Sequence, residues 1–426
     1  MTMVSKFKTN KYKPLKLNDL KKFINSKKNL KKLFKSTSNL RVKEVGDGNL
    51  NLVFFVENNY NAICLKQPLP YLRVLKDWPL TLKRSYYEYE YFNTHKKYVK
   101  NHFPKIYDYD GVLRSITMEK LSPHIIMRHG LIKGIKYNSF AESISTYLAK
   151  TLFYTSDLYL NAESKKNFIS KFISNTELCK ITEDLIFTDP YSVNKNNRWT
   201  KPYLNKMKKK IEKDEKLKIV ISRLKLKFMK NTDALLHGDL HTGSIMVTKK
   251  DTKVIDPEFA FYGPMGFDIG ALIANLLMSY FSQTGHERKI GERKKYKKWL
   301  LETIKTIWDK FEKKFLKLWE TENHGDAYPK VLFKKNSKKM NLEKKMYMQN
   351  LFEETVAYAG AKIIRRIYGF AHNIDFEWIE NTKVRANCEY KASNLAIEML
   401  KNTYSFKSIN DLIKAAKINE NMKAKL

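Results

Sequence analysis

The sequence predicts an α+β fold with a small β-rich N-terminal lobe and a large, mainly helical C-terminal lobe. Three observations carry this expectation. Short apolar runs broken by Gly- and Asn-rich turns lie before residue 121. Helical periodicity dominates from Ser139 onward. Pro123 follows a short apolar run and stands where the period changes. The lobes are therefore placed at residues 1–121 and 122–426, strands first and helices after.

The elements follow in order. Leu17 to Phe34 reads as one amphipathic helix. Val45 to Asn51 contains Gly46 and Gly48 and reads as a turn opening a β-hairpin. Its strands are Leu52–Val56 and Ala62–Lys66, joined by the Asn58–Asn61 turn. Leu82–Tyr98 is long enough for a helix and carries Glu88, and Leu113–Met118 reads as a strand. One loop-and-strand region, His237 to Gly270, interrupts the helical part. Lys295–Phe315 and Leu351–Phe370 read as helices, and Lys334–Lys345 as a charged linker.

With 426 residues, 43% of them hydrophobic, the chain can bury two cores. The most apolar stretch, Phe267 to Phe281, carries Asp268, Asn275 and Ser279 and reads as a core helix, so no membrane association is expected. Met1 to Lys13 lacks the apolar centre of a secretory signal. Cys64, Cys179 and Cys388 are scattered, which argues against a disulfide scaffold or zinc site and for a reducing, cytoplasmic setting. The formal charge of +37 is mostly lysine spread along the chain. It lacks the clustered arginines and aromatics of a nucleic-acid groove, so no nucleic-acid partner is expected.

The chemistry-bearing segments are Leu236-His237-Gly238-Asp239-Leu240-His241 and, further along, Val254-Ile255-Asp256-Pro257-Glu258. Kinases pair a base aspartate in such a loop with a metal aspartate at a similar separation. One carboxylate accepts a hydroxyl proton, and the other holds Mg²⁺ against phosphate oxygens. The upstream parts also stand in kinase order. Gly46 and Gly48 let backbone amides approach phosphates, Lys66 pairs with them, Glu88 orients Lys66, and Glu119, Lys120 and Leu121 offer a hinge to adenine. Each part alone has a plainer reading as a hairpin turn, a solvent lysine or a surface acid. Their joint order favours the kinase reading. His237 and His241 are read as loop-orienting groups, because Gly238 and Gly243 argue against the helix that an i, i+4 metal pair needs.

At these residues the chain resembles the methylthioribose kinase family. The resemblance runs collinearly through Gly46–Val56, Lys66–Tyr71, Trp78–Thr81, Met118-Glu119, Lys150–Asp157, Leu178–Pro190, His237–Ile245, Asp256–Ile269 and Ile364-Arg365-Arg366. It implies a bilobal protein-kinase-like fold, ATP and Mg²⁺ as cofactors, a homodimer, and phosphorylation of the anomeric hydroxyl of 5-methylthioribose in methionine salvage. It also implies roles for individual residues. Asn51 and Lys66 contact ATP, Asp256 and Glu258 hold Mg²⁺, and Asp239 meets the sugar. Arg365 and Arg366 form a twin-arginine element toward the phosphoryl group, and Trp78 sits in a loop covering the sugar. Two positions depart from common patterns. Ser244 replaces the second metal-binding asparagine of typical kinases, as it does in the resembled family, and Lys120 stands where relatives often carry aspartate. The competing expectation is a related alcohol kinase of aminoglycoside, choline or homoserine type.

Overall fold

Apolar alternation along 51–68 builds the centre of an antiparallel sheet. The computed structural model of the chain describes residues 11–45, 50–73, 75–333 and 337–426, with backbone alone at 75–77. Gly46 and Gly48 lie outside the described residues. The chain divides into two compact units, Met1–His124 with Lys253–Phe259, and Ile125–Thr252 with Ala260–Leu426.

In the first unit, α1 (Leu17–Ser26) and α2 (Lys28–Phe34) precede β1 (Arg41–Glu44), β2 (Asn51–Glu57) and β3 (Ala62–Pro68). The ribbon β4 (Tyr71–Leu72) and β5 (Leu75–Pro79) leads to α3 (Arg84–Val99), β6 (Ile106–Asp110) and β7 (Ser115–Glu119). The sheet order is β1-β2-β3-β7-β6, antiparallel throughout. Phe54, Val56, Ile63 and Leu65 meet Leu20, Phe23, Ile24, Leu30 and Phe34 in its core. The single helix expected over 17–34 is two helices. Lys27 is extended (φ −103°, ψ 109°), and its ammonium reaches Asp110 (2.8 Å) and Asp108 (3.3 Å). In the turn between β2 and β3, the Asn58 side chain accepts the N–H groups of Tyr60 and Asn61.

The second unit begins with β8 (Ile125–Ile126) and α4 (Met127–Ile132), then α5 (Phe140–Tyr154), α6 (Ala162–Phe172), α7 (Thr176–Phe187), α8 (Asn205–Lys213) and α9 (Glu215–Lys230). Strands β9 (Ala234–Leu236) and β10 (Ile245–Val247) flank the His237–Ser244 loop, and β11 (Thr252–Val254) leads into the segment returned to the first unit. There follow β12 (Phe261–Gly263), α10 (Gly266–Ser282), α11 (Lys294–Thr321), α12 (Lys338–Tyr368), α13 (Ile374–Glu377), α14 (Thr382–Lys401) and α15 (Ile409–Asn421). The apolar run at 267–281 is a core helix, buried along its whole length. Among the described residues no helix is long and apolar enough to cross a membrane.

The expected linker at 334–345 is helical from Lys338. Ser337 caps the helix by accepting the Met340 N–H (3.0 Å), and Lys338, Lys339, Glu343, Lys344 and Lys345 belong to its first turns, whereas 334–336 lie outside the described residues. At the contact of α10 with α12, a Cβ on Gly270 would lie 2.7 Å from the Thr355 carbonyl oxygen and 2.9 Å from the Ala359 nitrogen. Glu354 on α12 accepts the N–H of Gly266 (2.9 Å) at the start of α10.

Two predictions follow from this helix pair. Gly270→Ala should destabilise by about 1–2 kcal/mol despite alanine's better helix propensity, because overpacking outweighs it; urea unfolding measures the difference. Burial pushes the Glu354 carboxyl up to about 7, so its contribution to stability is fully present at low pH and is lost as pH rises through about 7. Glu354→Gln should leave stability unchanged near pH 4 and raise it by about 1–3 kcal/mol near pH 8; thermal melts across pH read this out.

Candidate active site

Strand alternation turns Lys66 inward between Val53 and Ile116 of the neighbouring strands. Lys66 is 7% exposed, and its ammonium donates to Glu88 Oε2 (2.7 Å) and Asp256 Oδ1 (2.6 Å). Burial alone would lower its pKa, but Asp256 and Glu88 outweigh burial and hold it above the usual lysine value. Glu88 comes from the buried face of α3. Burial, with Asp256 and Glu258 adding to it, pushes its carboxyl up to about 7 against the pull of Lys66.

Asp256 has φ 62°, in the left-handed region that aspartate tolerates better than most side chains. Strained backbone of this kind gathers at functional sites. The Asp256 side chain is 44% exposed even with Lys66 beside it. Two residues on, buried Glu258 accepts from Arg84 Nε (3.1 Å) and Asn51 Nδ2 (3.5 Å). The first unit therefore gathers Asn51, Lys66, Glu88, Asp256 and Glu258. Arg84 was not anticipated. Fully buried, it also donates to the carbonyls of Thr81 (2.7 Å) and Leu50. An arginine opening a tyrosine-rich helix is the only sequence signal for it.

Glu119 ends β7 and accepts the Lys105 N–H (3.1 Å). The Lys120 ammonium pairs with Glu57 and lies 5.0 Å from the centre of the Phe55 ring, so its charge is taken up by the sheet. Leu121 follows as irregular, half-buried chain. Trp78, expected in a loop, lies in β5, where Tyr71 pairs with Pro79 and Leu72 with Leu75. That pairing makes a short ribbon of the segment.

In the second unit, Gly238 takes φ 83°, which glycine adopts without penalty. This turn aims the N–H groups of His237 (2.6 Å) and Gly238 (3.1 Å) at the two oxygens of buried Asp268. Asp268 was noted only as a polar interruption in an apolar run. That interruption was the usable signal, since a buried acid needs donors. Both histidines serve the loop itself. His237 Nδ1 accepts the Asp239 N–H (3.2 Å), and His241 Nδ1 accepts the Gly243 N–H (3.0 Å). The Ser244 hydroxyl donates to the Asp239 carbonyl (3.1 Å) and lies 3.2 Å from His241 Nδ1.

The Asp239 carboxylate, 29% exposed, has His241 Nε2 3.3 Å from Oδ2 and Lys362 Nζ 3.5 Å from Oδ1. Burial would raise its pKa, but His241, then Lys362 and Arg366, outweigh burial and hold it well below the usual carboxylate value. Burial pushes His241 down to about 4, so near neutral pH the ring is an uncharged partner.

Arg365 and Arg366 lie in the last turn of α12. Arg365 Nη1 donates to the Ala371 carbonyl (3.3 Å), whereas Arg366 is 9% exposed and feels the charges of Asp239 and Asp375. Arg128, also unanticipated, donates to Thr242 Oγ1 (3.1 Å) and Asn275 Oδ1 (2.9 Å). It stands 3.5 Å from Asp375, whose carboxyl burial pushes up to about 6. Arg128, Lys362, Arg365 and Arg366 thus give the surroundings of Asp239 a surplus of positive charge.

Asp268→Asn would set an NH₂ group against a backbone N–H. It should cost about 1–3 kcal/mol, as expected for an orphaned buried donor; urea unfolding measures this.

The family described as "Phosphotransferase enzyme family" matches residues 166–299. Similarity to curated proteins extends much further. "Methylthioribose kinase 1" of Oryza sativa subsp. japonica is 45% identical over 378 residues, covering 88% of each chain. "Methylthioribose kinase" of Escherichia coli O45:K1 is 44% identical over 380 residues, covering 89% of this chain and 91% of the relative. "Methylthioribose kinase" of Bacillus cereus strain 03BB102 is 40% identical over 369 residues, covering 86% and 88%. Identity at this level over nearly the full length of both partners places the chain in the methylthioribose kinase family.

Proposed function

We propose that this chain transfers the γ-phosphoryl group of ATP to the anomeric hydroxyl of 5-methylthioribose, giving 5-methylthioribose 1-phosphate. The observation that carries the reading is Asp239, an ionised carboxylate on a loop fixed by Asp268 and surrounded by cations. Asp239 is the base. A hemiacetal hydroxyl is more acidic than an ordinary alcohol, and phosphoryl transfer asks little of the base until late, so a weak base suffices. Arg365 and Arg366 supply positive charge toward the phosphoryl group. Trp78 is assigned to the sugar side.

Lys66, oriented by Glu88, takes the α- and β-phosphates. Asn51 and the segment of Gly46 and Gly48 complete the phosphate contacts, and Glu119, Lys120 and Leu121 supply backbone groups to adenine. Mg²⁺ suits the donors present. It binds through one or two carboxylates plus phosphate and water oxygens, and Asp256 and Glu258 are two carboxylates from one short segment. When bound, the ion would neutralise charge on the β- and γ-phosphate oxygens. A second cation would draw on Ser244, a neutral oxygen.

The competing acceptors are disfavoured by charge. Choline or an aminoglycoside would bring its own cation to a site already holding Arg128, Lys362, Arg365 and Arg366. A neutral sugar whose product is an anion suits that surplus. The reading also takes in a cytoplasmic homodimer acting in methionine salvage.

Turnover of ATP with 5-methylthioribose, set against choline and kanamycin, tests the reading. Preference for either cation would end it. Asp239→Asn should lower kcat by about 10²–10⁴-fold while ATP binding by calorimetry persists. Asp256→Ala should abolish Mg²⁺-dependent turnover, and retained activity would remove its metal role.

A further inference from the structure

Lys362 lies on α12 one turn before Arg365, and no motif singled it out. Its side chain is 6% exposed. The ammonium lies 4.2 Å from the centre of the Phe267 ring and 3.5 Å from Asp239 Oδ1. A lysine this buried is costly unless its charge is used. On the other side of the same carboxylate, His241 Nδ1 accepts the Gly243 N–H, so the proton of the neutral ring sits on Nε2, facing Oδ2. The two oxygens of Asp239 are therefore unequal. Oδ1 faces a cation, whereas Oδ2 faces a neutral donor and keeps the greater basicity.

We propose that Lys362 is a positioning residue for the phosphoryl transfer: its ammonium pins Oδ1 of Asp239, so that Oδ2 is the oxygen presented to the acceptor hydroxyl. This rests on Asp239 being the base. In the step, the acceptor O–H bond breaks and its proton passes to Oδ2. The electron pair left on the acceptor oxygen forms the new bond to the γ-phosphorus, and the bond to the β–γ bridging oxygen breaks, with its pair leaving on ADP. Lys362 neither gains nor loses a proton.

The charged and titratable groups around this pair are His237 and His241 of the loop, Arg128 of α4, Asp268 of α10, Asp375 of α13, and Arg365 and Arg366 of α12 itself. Burial, with the two arginines, pushes Lys362 down to about 8, against the opposing pull of Asp239 and Asp268. The clamp is charged below that pH and lost as pH rises through it.

The test uses the full chain with ATP, Mg²⁺ and 5-methylthioribose, recording kcat/KM for the sugar from about pH 6 to 10. The wild-type protein should decline above about pH 8, where Lys362 loses its proton. Lys362→Met should lower kcat near pH 7 by about 10-fold or more, leave KM for ATP within about twofold, and lose the alkaline decline. Lys362→Arg should recover most of kcat and stay active beyond about pH 9, because guanidinium keeps its proton there. An unmoved alkaline decline in Lys362→Arg, or equal inactivity of folded Lys362→Arg and Lys362→Met, overturns the inference. Should Lys362→Met fail to fold, the Lys362→Arg profile decides alone. Asp239→Asn is the control: retained turnover there removes the base assignment itself, whereas a silent Asp239→Asn with unmoved Lys362 profiles removes only the clamp.

Discussion

One buried carboxylate sets the geometry of the second unit. Asp268, in the first turn of α10, receives the consecutive N–H groups of His237 and Gly238. That pair of bonds fixes the entry of the loop carrying Asp239, and glycine at 238 makes the turn possible. The helix beneath is held by α12, which approaches closely at Gly270 and whose Glu354 accepts the first N–H of α10. The same α12 delivers Lys362, Arg365 and Arg366 to Asp239's surroundings. Loop, core helix and cationic helix form one mechanical chain, so a packing change at Gly270 reaches Asp239 without touching it.

The two units manage charge differently. In the first, Lys66 and Arg84 sit among Glu88, Asp256 and Glu258, two cations among three acids. Such a site suits a divalent ion and the phosphates it accompanies. In the second, cations outnumber Asp239 and Asp375. Such a site suits a neutral acceptor that becomes an anion.

Much of this was legible in the sequence because the informative signals are local. Alternation fixed β2 and β3, and glycine with histidine marked the Asp239 loop. The order Lys66, Glu88, Asp239, Asp256 is a collinear pattern. What was missed depends on tertiary contact. Arg84, Arg128, Asp268 and Lys362 sit within ordinary-looking helices, and their roles appear only when a distant carbonyl or carboxylate arrives beside them. Lys27 broke the first helix for a similar reason, since its partners Asp108 and Asp110 are on a strand far along the chain. The supposed linker shows the reverse error over its described part, 338–345, where charge density hid a helix that one serine cap and a buried far end sustain.

The short segment Lys253–Phe259 belongs by its contacts with the N-terminal unit, although residues 125–252 intervene. Synthesis on the ribosome therefore cannot finish the first unit when its strands have emerged. Until Asp256 and Glu258 arrive, Lys66 has Glu88 to pair with and Arg84 has the carbonyls of Thr81 and Leu50. Residues 125–252 of the second unit are translated in that interval. Long-range closure of this kind slows folding.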